Sequence, residues 1–455
     1  FFDYPVDAEI SGEGEITPNA TSVLPIYACI DKDMYISPIY PHQIIDTLYF
    51  PDENYDGATM CNAGGVSKDV IDLLVDEAFE MTGNDSEDDT RSSSDWYPSG
   101  RITAWDDLVG DYIPVEGVKV RASRFGKTAT AITDESGTFA MSKRFKKAVN
   151  YTIIWEGDEW DIRNGTIGQA KLHKDGKTKG EWVCAIKNGK QEAYACLQNA
   201  LRYHFYEDTH GLDRVVGNKK IKISYLHKAD TENYYGGYFT PNALGGIKND
   251  IVIYGFNGYN NMEFSTEKKV AYIFHELGHA SLYYSVGRNN YLAKHRLFRE
   301  GWADLNMWIR TYNFYCKYNK GDLIRKTISM TTGTPPFVIT HIFEEPIEYN
   351  RQDYNITDDG VVYMPILIDL FDQMNQQYYY KLIHPNSDIY LKYPNDFIHI
   401  YETNSNINLI KTVIYTTETI NDFKQGMNTI LPSLQKSPLV LDWPSALNNY
   451  LSIYE

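Results

Sequence analysis

The segment from His275 to His279, which reads His-Glu-Leu-Gly-His, holds the residues with the clearest capacity for chemistry. In a helix, residues four positions apart lie on one face, one turn apart, so two imidazoles can bind a single metal ion. This spacing is typical of zinc sites, in which the glutamate between the histidines is available as a general base. The sequence therefore predicts Zn²⁺ as a cofactor, with His275 and His279 as ligands and Glu276 as the catalytic base.

A second segment, residues 299–304, supplies the other groups that such a site needs. Glu300 follows His279 after twenty intervening residues, which is enough for a turn and a second helix. A carboxylate can complete the protein ligands of zinc and leave a fourth position for water. Asp304 lies one helical turn after Glu300 and can accept the free N–H of a ligand histidine, which fixes the tautomer. We therefore expect Glu300 as the third ligand and Asp304 as the partner of a histidine.

The helix that must hold the two histidines is predicted to begin near residue 265 and to end near Gly287. Ser265 and Thr266 are good N-cap residues, and glycine is common just after a helix. Gly278 costs this helix about 1 kcal/mol relative to alanine. A glycine at this position would let another element approach the metal site closely. One side of the helix is apolar, with Val270, Ile273, Phe274, Leu277 and Leu282 at helical spacing.

The pattern of HExxH, a later glutamate and an aspartate four residues beyond it resembles the gluzincin clan of zinc metallopeptidases. The resemblance implies that Glu276 polarises the attacking water and passes a proton to the leaving amine. The order of segments 236–241 and 251–254 before the motif helix is also similar to that clan. There the first strand pairs with the substrate backbone, which implies substrate binding by Gly237, Tyr238 and Phe239. An unpaired strand edge is a template for an extended peptide; an ordinary glycine-rich hairpin is the alternative.

The same resemblance implies a hydrogen-bond donor for the oxyanion, supplied by a downstream histidine or tyrosine. The segment 358–371 looks like that region, with Tyr363 as the donor. His341 is a second candidate. A tyrosine that merely caps an apolar helix is the structural alternative for Tyr363.

The chain divides into three predicted regions, and the predicted fold class is α+β and multidomain. Residues 1–98 form an N-terminal region with one helix near 68–81 and an acidic, serine-rich linker that cannot bury a core. Residues 99–165 have short alternating strands, which predict a small antiparallel β-sandwich. Within them, runs 114–120 and 133–139 resemble the carboxypeptidase regulatory-like (prealbumin-like) domain. Residues 180–455 are predicted as a zincin-like α+β catalytic domain with a helical C-terminal part.

Charge and composition exclude several classes of protein. The 455 residues carry a formal net charge of −18, which argues against a nucleic-acid partner. No apolar run approaches the roughly 20 residues that span a bilayer. We expect a secreted or cell-surface protein whose leader was removed, with membrane attachment only through that leader or a lipid anchor. The five cysteines form no C-x-x-C pair, which argues against a zinc ribbon or a thioredoxin-like site. An odd count leaves at least one cysteine unpaired within the chain, so one or two disulfides stay open but a disulfide-rich framework is not expected.

The sequence thus predicts a secreted or surface-attached bacterial zinc metallopeptidase that hydrolyses bonds in peptides or proteins with a metal-activated water. Two alternatives stay open. One is a non-catalytic surface binding or adhesion protein on a peptidase-like scaffold, which the 37 tyrosines and the β-sandwich would suit. The other is a zinc hydrolase of a non-peptide bond. The intact set of five site residues argues against the binding protein, because a dead enzyme has no chemical need for Glu276.

Overall fold

The computed structural model describes residues 96–452 with gaps, all within a unit that spans residues 87–455. The gaps are 125–126, 166–167, 217–219, 232–235, 241–248, 326, 335–336, 345–354, 358–359, 363–365, 373–377, 379–380, 383–385 and 387–397. For the strands between 327 and 362 the backbone alone is described. The predicted helix near 68–81, the acidic linker before residue 96 and Tyr363 lie outside the described residues.

The first part of the described chain contributes two four-stranded sheets. In one, a central strand pairs with two antiparallel strands and, unexpectedly, with one parallel strand. Its members are β1 (Ser99–Asp106), β2 (Asp111–Pro114), β5 (Thr138–Ala140) and β10 (Trp182–Ile186). The other sheet is antiparallel throughout, in the order β4-β3-β6-β9. Its members are β3 (Lys119–Arg124), β4 (Lys127–Ile132), β6 (Asn150–Ile154) and β9 (Lys171–His173).

Aromatic side chains join the inner faces of these two sheets. The ring of Tyr151, from β6, lies 6.0 Å from that of Phe139 and 5.4 Å from that of Trp182, centroid to centroid. All three side chains are buried. Alternation along the strands places Val120 and Ala122 in the same core. The predicted short strands of this region are therefore present, and they pack as two layers.

A mixed five-stranded sheet in the order β12-β13-β11-β7-β8 forms the centre of the described unit. Its members are β7 (Trp160–Asn164), β8 (Gly168–Gln169), β11 (Ile221–Ala229), β12 (Gly237–Phe239) and β13 (Ile251–Phe256). The three inner strands run parallel and the two edge strands antiparallel to them.

Strand β7 falls within the predicted 99–165 module, yet it lies in this central sheet beside β11. Buried Trp160 gives the reason, because its indole N–H donates to Oε1 of Gln198 at 3.0 Å. Gln198 belongs to helix α1 (Gly189–Tyr206), which packs on the sheet. The domain boundaries themselves stay a prediction.

The helices that follow carry most of the remaining core. Helix α2 (Thr266–Val286) packs against α1 and, along its length, against α4 (Arg296–Cys316). The others are α3 (Arg288–Ala293), α5 (Gly321–Ile324), α6 (Asn404–Thr416), α7 (Ile420–Ile430), a 3₁₀ turn (Leu431–Ser433) and α8 (Trp443–Leu451). Buried Lys294 attaches α6 to this core, since its ammonium donates to three carbonyls at the end of α6, those of Ile414, Tyr415 and Thr417.

The C-terminal part is less helical than the sequence predicts. Two antiparallel hairpins stand between α5 and α6, formed by β14 (Thr327–Thr334) with β15 (Phe337–Glu344) and by β16 (Asn355–Thr357) with β17 (Gly360–Val362). The residues of β14 and β15 are rich in threonine, isoleucine and valine, whose branched side chains favour extended backbone. This signal was present in the sequence and was missed. The described part of the chain is thus a mixed α/β protein.

Candidate metal centre

Helix α2 begins and ends where the sequence predicts, at N-cap Ser265 and at Gly287, whose φ is +80°. The cap itself is different from the prediction. The N–H of Thr266 donates to Oδ2 of Asp107 at 3.0 Å, and the N–H of Asp107 donates to Oγ1 of Thr266 at 2.8 Å. Asp107 lies in the turn between β1 and β2, so a loop from the β-rich part satisfies the start of the motif helix.

Gly278 allows α2 and α4 to approach closely, as the sequence predicts. A Cβ at position 278 would lie 2.8 Å from Cα of Ala303 and 3.0 Å from Cβ of Asn306. Real Cβ contacts are not so short, and the first neighbour is rigid backbone. The close approach sets Glu300 and Asp304, both on α4, opposite the histidines of α2.

The two histidines and Glu300 point their donor atoms at one another. Nε2 of His275 lies 3.2 Å from Nε2 of His279, and Oε2 of Glu300 lies 3.5 Å and 3.3 Å from these two nitrogens, respectively. Among the described residues, this is the group of histidine, cysteine and acidic side chains whose donor atoms are close enough to hold a metal ion. The side chains are 19%, 10% and 28% exposed, so the cluster is sheltered but open on one side.

Each of the three side chains has a second contact that orients it. Nδ1 of His275 lies 2.9 Å from Oδ1 of Asp304, the partner that the sequence predicts. Nδ1 of His279 lies 3.2 Å from the hydroxyl of Tyr291, which the sequence reasoning missed. Oε1 of Glu300 faces Nε of Arg296 at 3.7 Å, which leaves Oε2 turned toward the histidines.

The neighbouring histidines and carboxylates of the cluster shift the pKa of His275 and that of Glu300. Burial alone would lower the pKa of His275, but hydrogen bonds to Asp304 and Glu300 outweigh burial and hold that pKa well above its ordinary value. Burial alone would raise the pKa of Glu300, but His279 and His275 hold it well below its ordinary value. Glu300 therefore stays ionised, which is the state in which a carboxylate binds a cation.

This donor set fits zinc. Two imidazole nitrogens and one carboxylate oxygen form a three-ligand set known from catalytic zinc sites, which keep a fourth position open. The set contains no thiolate, and its imidazoles do not suit Mg²⁺ or Ca²⁺, which prefer oxygen ligands. The contacts at both Nδ1 atoms leave each Nε2 directed into the cluster, as zinc ligation requires.

Glu276 follows His275 on α2 and lies beside the edge of the central sheet. Its side chain is on α2, and the residue is 5% exposed. A Cβ at Gly237 would lie 3.2 Å from Cγ of Glu276 and 2.9 Å from the carbonyl oxygen of Val252. Only a glycine at position 237 therefore lets the β12 backbone pass so close to the carboxylate.

Strand β12 is the edge that the sequence predicts as a substrate platform. Among the described strands it pairs with β13 alone. Tyr238 is 39% exposed on this edge, whereas Phe239 packs against Tyr283 of α2 with ring centroids 5.7 Å apart. All three residues of β12 lie on this edge, and their role in substrate binding stays a prediction. The backbone of His341 lies in β15, and its side chain is outside the described part.

The comparisons with known proteins identify no relative. No protein-family model, no curated protein and no solved structure matches this chain. Among the described helices, none combines the length and the apolarity needed to cross a bilayer. The described cysteines Cys184, Cys196 and Cys316 are free thiols.

Proposed function

We propose that this protein is a zinc-dependent metallopeptidase of gluzincin-like design. The observation that carries the proposal is the convergence of His275 Nε2, His279 Nε2 and Glu300 Oε2, all within 4.8 Å of one another, beside the buried carboxylate of Glu276. The pairing of α2 with α4 next to the β12–β13 edge supports the same design. The two packed sheets before it support an accessory β-sandwich of the carboxypeptidase regulatory-like kind.

His275, His279 and Glu300 would hold the zinc ion. A zinc ion bound there supplies Lewis acidity, which makes a water molecule a strong nucleophile near neutral pH. The chain supplies the rest. Asp304 holds the imidazole of His275 in one tautomer, and Arg296 engages the second oxygen of Glu300 so that only one oxygen faces the cluster.

Glu276 is the proposed general base and acid. It follows His275 directly on α2, so its carboxylate borders the cluster without belonging to it. A carboxylate in this position can accept the proton of the attacking water and return it to the leaving amine. Its low exposure excludes bulk water, which strengthens its interactions with the reacting atoms. Tyr363 is the proposed donor to the oxyanion, on the resemblance alone.

A peptide is the proposed substrate because of the strand beside Glu276. An extended peptide can pair, through backbone hydrogen bonds, with the edge of β12 that none of the described strands occupies, and such bonds demand no particular side chain. The narrow approach at Gly237 would hold a paired backbone close to the general base. Extracellular peptides or proteins and a secreted or surface location form part of the same proposal. The net charge of −18 suits neither nucleic acid nor an anionic membrane as partner.

The decisive experiment pairs two variants with a peptide-library digest. Glu276→Gln should retain stoichiometric zinc and lose peptide hydrolysis, because the amide keeps the shape but cannot accept a proton. His279→Ala should lose the metal itself. Glu135→Gln makes the same chemical change in an exposed turn far from the site and should behave as the parent.

Two results would count against the proposal. Hydrolysis by Glu276→Gln at the rate of the parent would remove Glu276 from the mechanism. Stoichiometric zinc in a parent protein that cleaves no peptide or protein would favour the non-catalytic binding protein.

A further inference from the structure

Tyr291 contacts the one metal-binding histidine that the Asp304 pairing leaves unsupported. Its hydroxyl lies 3.2 Å from Nδ1 of His279, while Nε2 of the same ring faces His275 and Glu300. Both ring nitrogens of His279 are thus engaged, one inward and one by Tyr291. Both atoms of the outer contact are buried, since Tyr291 and His279 are each 8% exposed.

The chain holds Tyr291 in this place by a reversal and by ring packing. Gly287, at φ +80°, ends α2 and starts α3, and the N–H of Tyr291 donates to the carbonyl of Gly287 at 2.9 Å. The Tyr291 ring packs edge to face on Tyr283 at 5.5 Å, and the guanidinium of Arg299 lies 5.5 Å from its centroid. The hydroxyl therefore has little freedom to turn away from His279.

Ligand chemistry decides which atom donates. Nε2 can bind a metal only with its lone pair, so the proton of a neutral ligand imidazole must sit on Nδ1. An Nδ1–H needs an acceptor, and the hydroxyl oxygen of Tyr291 can be that acceptor.

We propose that Tyr291 is a positioning residue that holds His279 in the tautomer and orientation needed to bind zinc. The inference rests on the proposed zinc site but not on peptide hydrolysis. It gives the two histidines different supports, a carboxylate for His275 and a phenol for His279. It also assigns a purpose to α3, a six-residue helix that otherwise only connects α2 to α4.

The test compares two tyrosine-to-phenylalanine variants in the same aromatic cluster. Tyr291→Phe keeps the ring and removes the hydroxyl, and we expect zinc affinity to fall about 10- to 100-fold. Tyr283→Phe removes a hydroxyl from the neighbouring ring, which packs on Tyr291 but makes no hydrogen bond to a ligand histidine. It should leave zinc affinity unchanged. Affinity is measured by competition with a chromophoric chelator, and thermal unfolding of the metal-free proteins checks that each variant is folded.

A second measurement reports the tautomer directly, first in the parent and then in the same two variants. With ¹⁵N-labelled histidine, NMR of the zinc-loaded parent should place a slowly exchanging proton on Nδ1 of His279. Tyr291→Phe should shift that signal and speed its exchange, whereas Tyr283→Phe should not. A proton absent from Nδ1 in the parent overturns the inference even where Tyr291→Phe fails to fold.

The outcomes separate this inference from the proposed function. Equal zinc affinity of Tyr291→Phe and the parent overturns the role of Tyr291 and leaves the peptidase standing. If Tyr291→Phe clearly loses zinc affinity but the parent cleaves no peptide, the role of Tyr291 is supported and the proposed peptidase activity is overturned. A parent that binds no zinc overturns both.

Discussion

The helical side and the strand side of the candidate site are held in contrasting ways. On the helical side, α2 and α4 touch through Gly278, and the ligand side chains have second contacts that orient them. On the strand side, three residues of β12 pair with β13 alone among the described strands, and Tyr238 is exposed. A metal needs donor atoms at fixed distances, whereas a peptide backbone needs an open edge. We therefore expect changes on the helical side to alter metal binding and stability, and changes on the strand side to alter peptide cleavage.

The largest effect is expected on the helical side, from Asp304→Asn. The amide can still accept the Nδ1–H of His275, but it lacks the negative charge that strengthens the ligand. Zinc affinity should fall about 10- to 100-fold, measured by chelator competition. Asp175→Asn removes an equal charge from an exposed turn and serves as the control. An unchanged zinc affinity in Asp304→Asn would mean that the contact at 2.9 Å does not support the ligand.

The next effect is on stability, from Gly278→Ala. Alanine gains about 1 kcal/mol of helix propensity over glycine, but overpacking a tight contact costs roughly 1–3 kcal/mol. Because the nearest atom, Cα of Ala303 at 2.8 Å, is rigid backbone, we expect overpacking to prevail. The free energy of unfolding should fall by up to about 2 kcal/mol in urea titrations of the metal-free protein. A variant more stable than the parent would show that helix propensity outweighs overpacking and that α2 and α4 can move apart.

A glycine-to-alanine change on the strand side, at Gly237, should slow peptide cleavage instead of lowering stability. In Gly237→Ala the new Cβ would press on the Val252 carbonyl and on Glu276, which displaces the edge from the proposed general base. We expect kcat/KM for peptides to fall about tenfold, or about 1.4 kcal/mol, with zinc affinity unchanged. Gly168→Ala, at the opposite edge of the same sheet, adds a methyl where the nearest atom is 3.4 Å away. Equal losses in both variants would point to general damage to the sheet.

The smallest effect is expected from Asp107→Ala, which removes the carboxylate that caps α2. Loss of a cap costs about 1 kcal/mol, so urea titrations should show a small decrease in stability. Zinc affinity should stay near that of the parent, because the ligands lie more than two turns further along the helix. A large loss of zinc in this variant would mean that the start of α2 also controls the candidate metal site.

Each half of the candidate metal centre could be predicted because its geometry is local. His275 and His279 share a face through helical spacing alone, and Asp304 follows Glu300 by the same rule. Tyr291 was missed because its contact with His279 depends on the chain reversal at Gly287. The residues on either side of that glycine have no pattern that specifies the angle at which α3 leaves.

The fold could be predicted where the hydrophobic pattern agrees with capping or turn residues. It could not be predicted where a strand pairs with one far away in the sequence. The bounds of α2 and the short strands near Val120 and Ala131 follow from capping residues and from alternation. The identity of the strand that pairs with a given strand does not follow from such local signals. Nothing in Trp160-Asp161-Ile162 indicates pairing with β11 instead of a neighbour, since register is set by long-range packing on α1. The strands β14 and β15 could have been predicted from their β-branched residues, but this signal was missed.

The hydrogen-bonded pair of Asp107 and Thr266 has a consequence for how the protein is made. These residues are 159 positions apart, so Asp107 leaves the ribosome long before the helix that it completes. Contacts between such distant positions slow folding, because the loop must close before the contact gives any stability. The carboxylate of Asp107 therefore meets its partner on α2 only after residue 266 has been synthesised. A polypeptide begun at residue 180 would carry all three proposed zinc ligands and would still start α2 without Asp107.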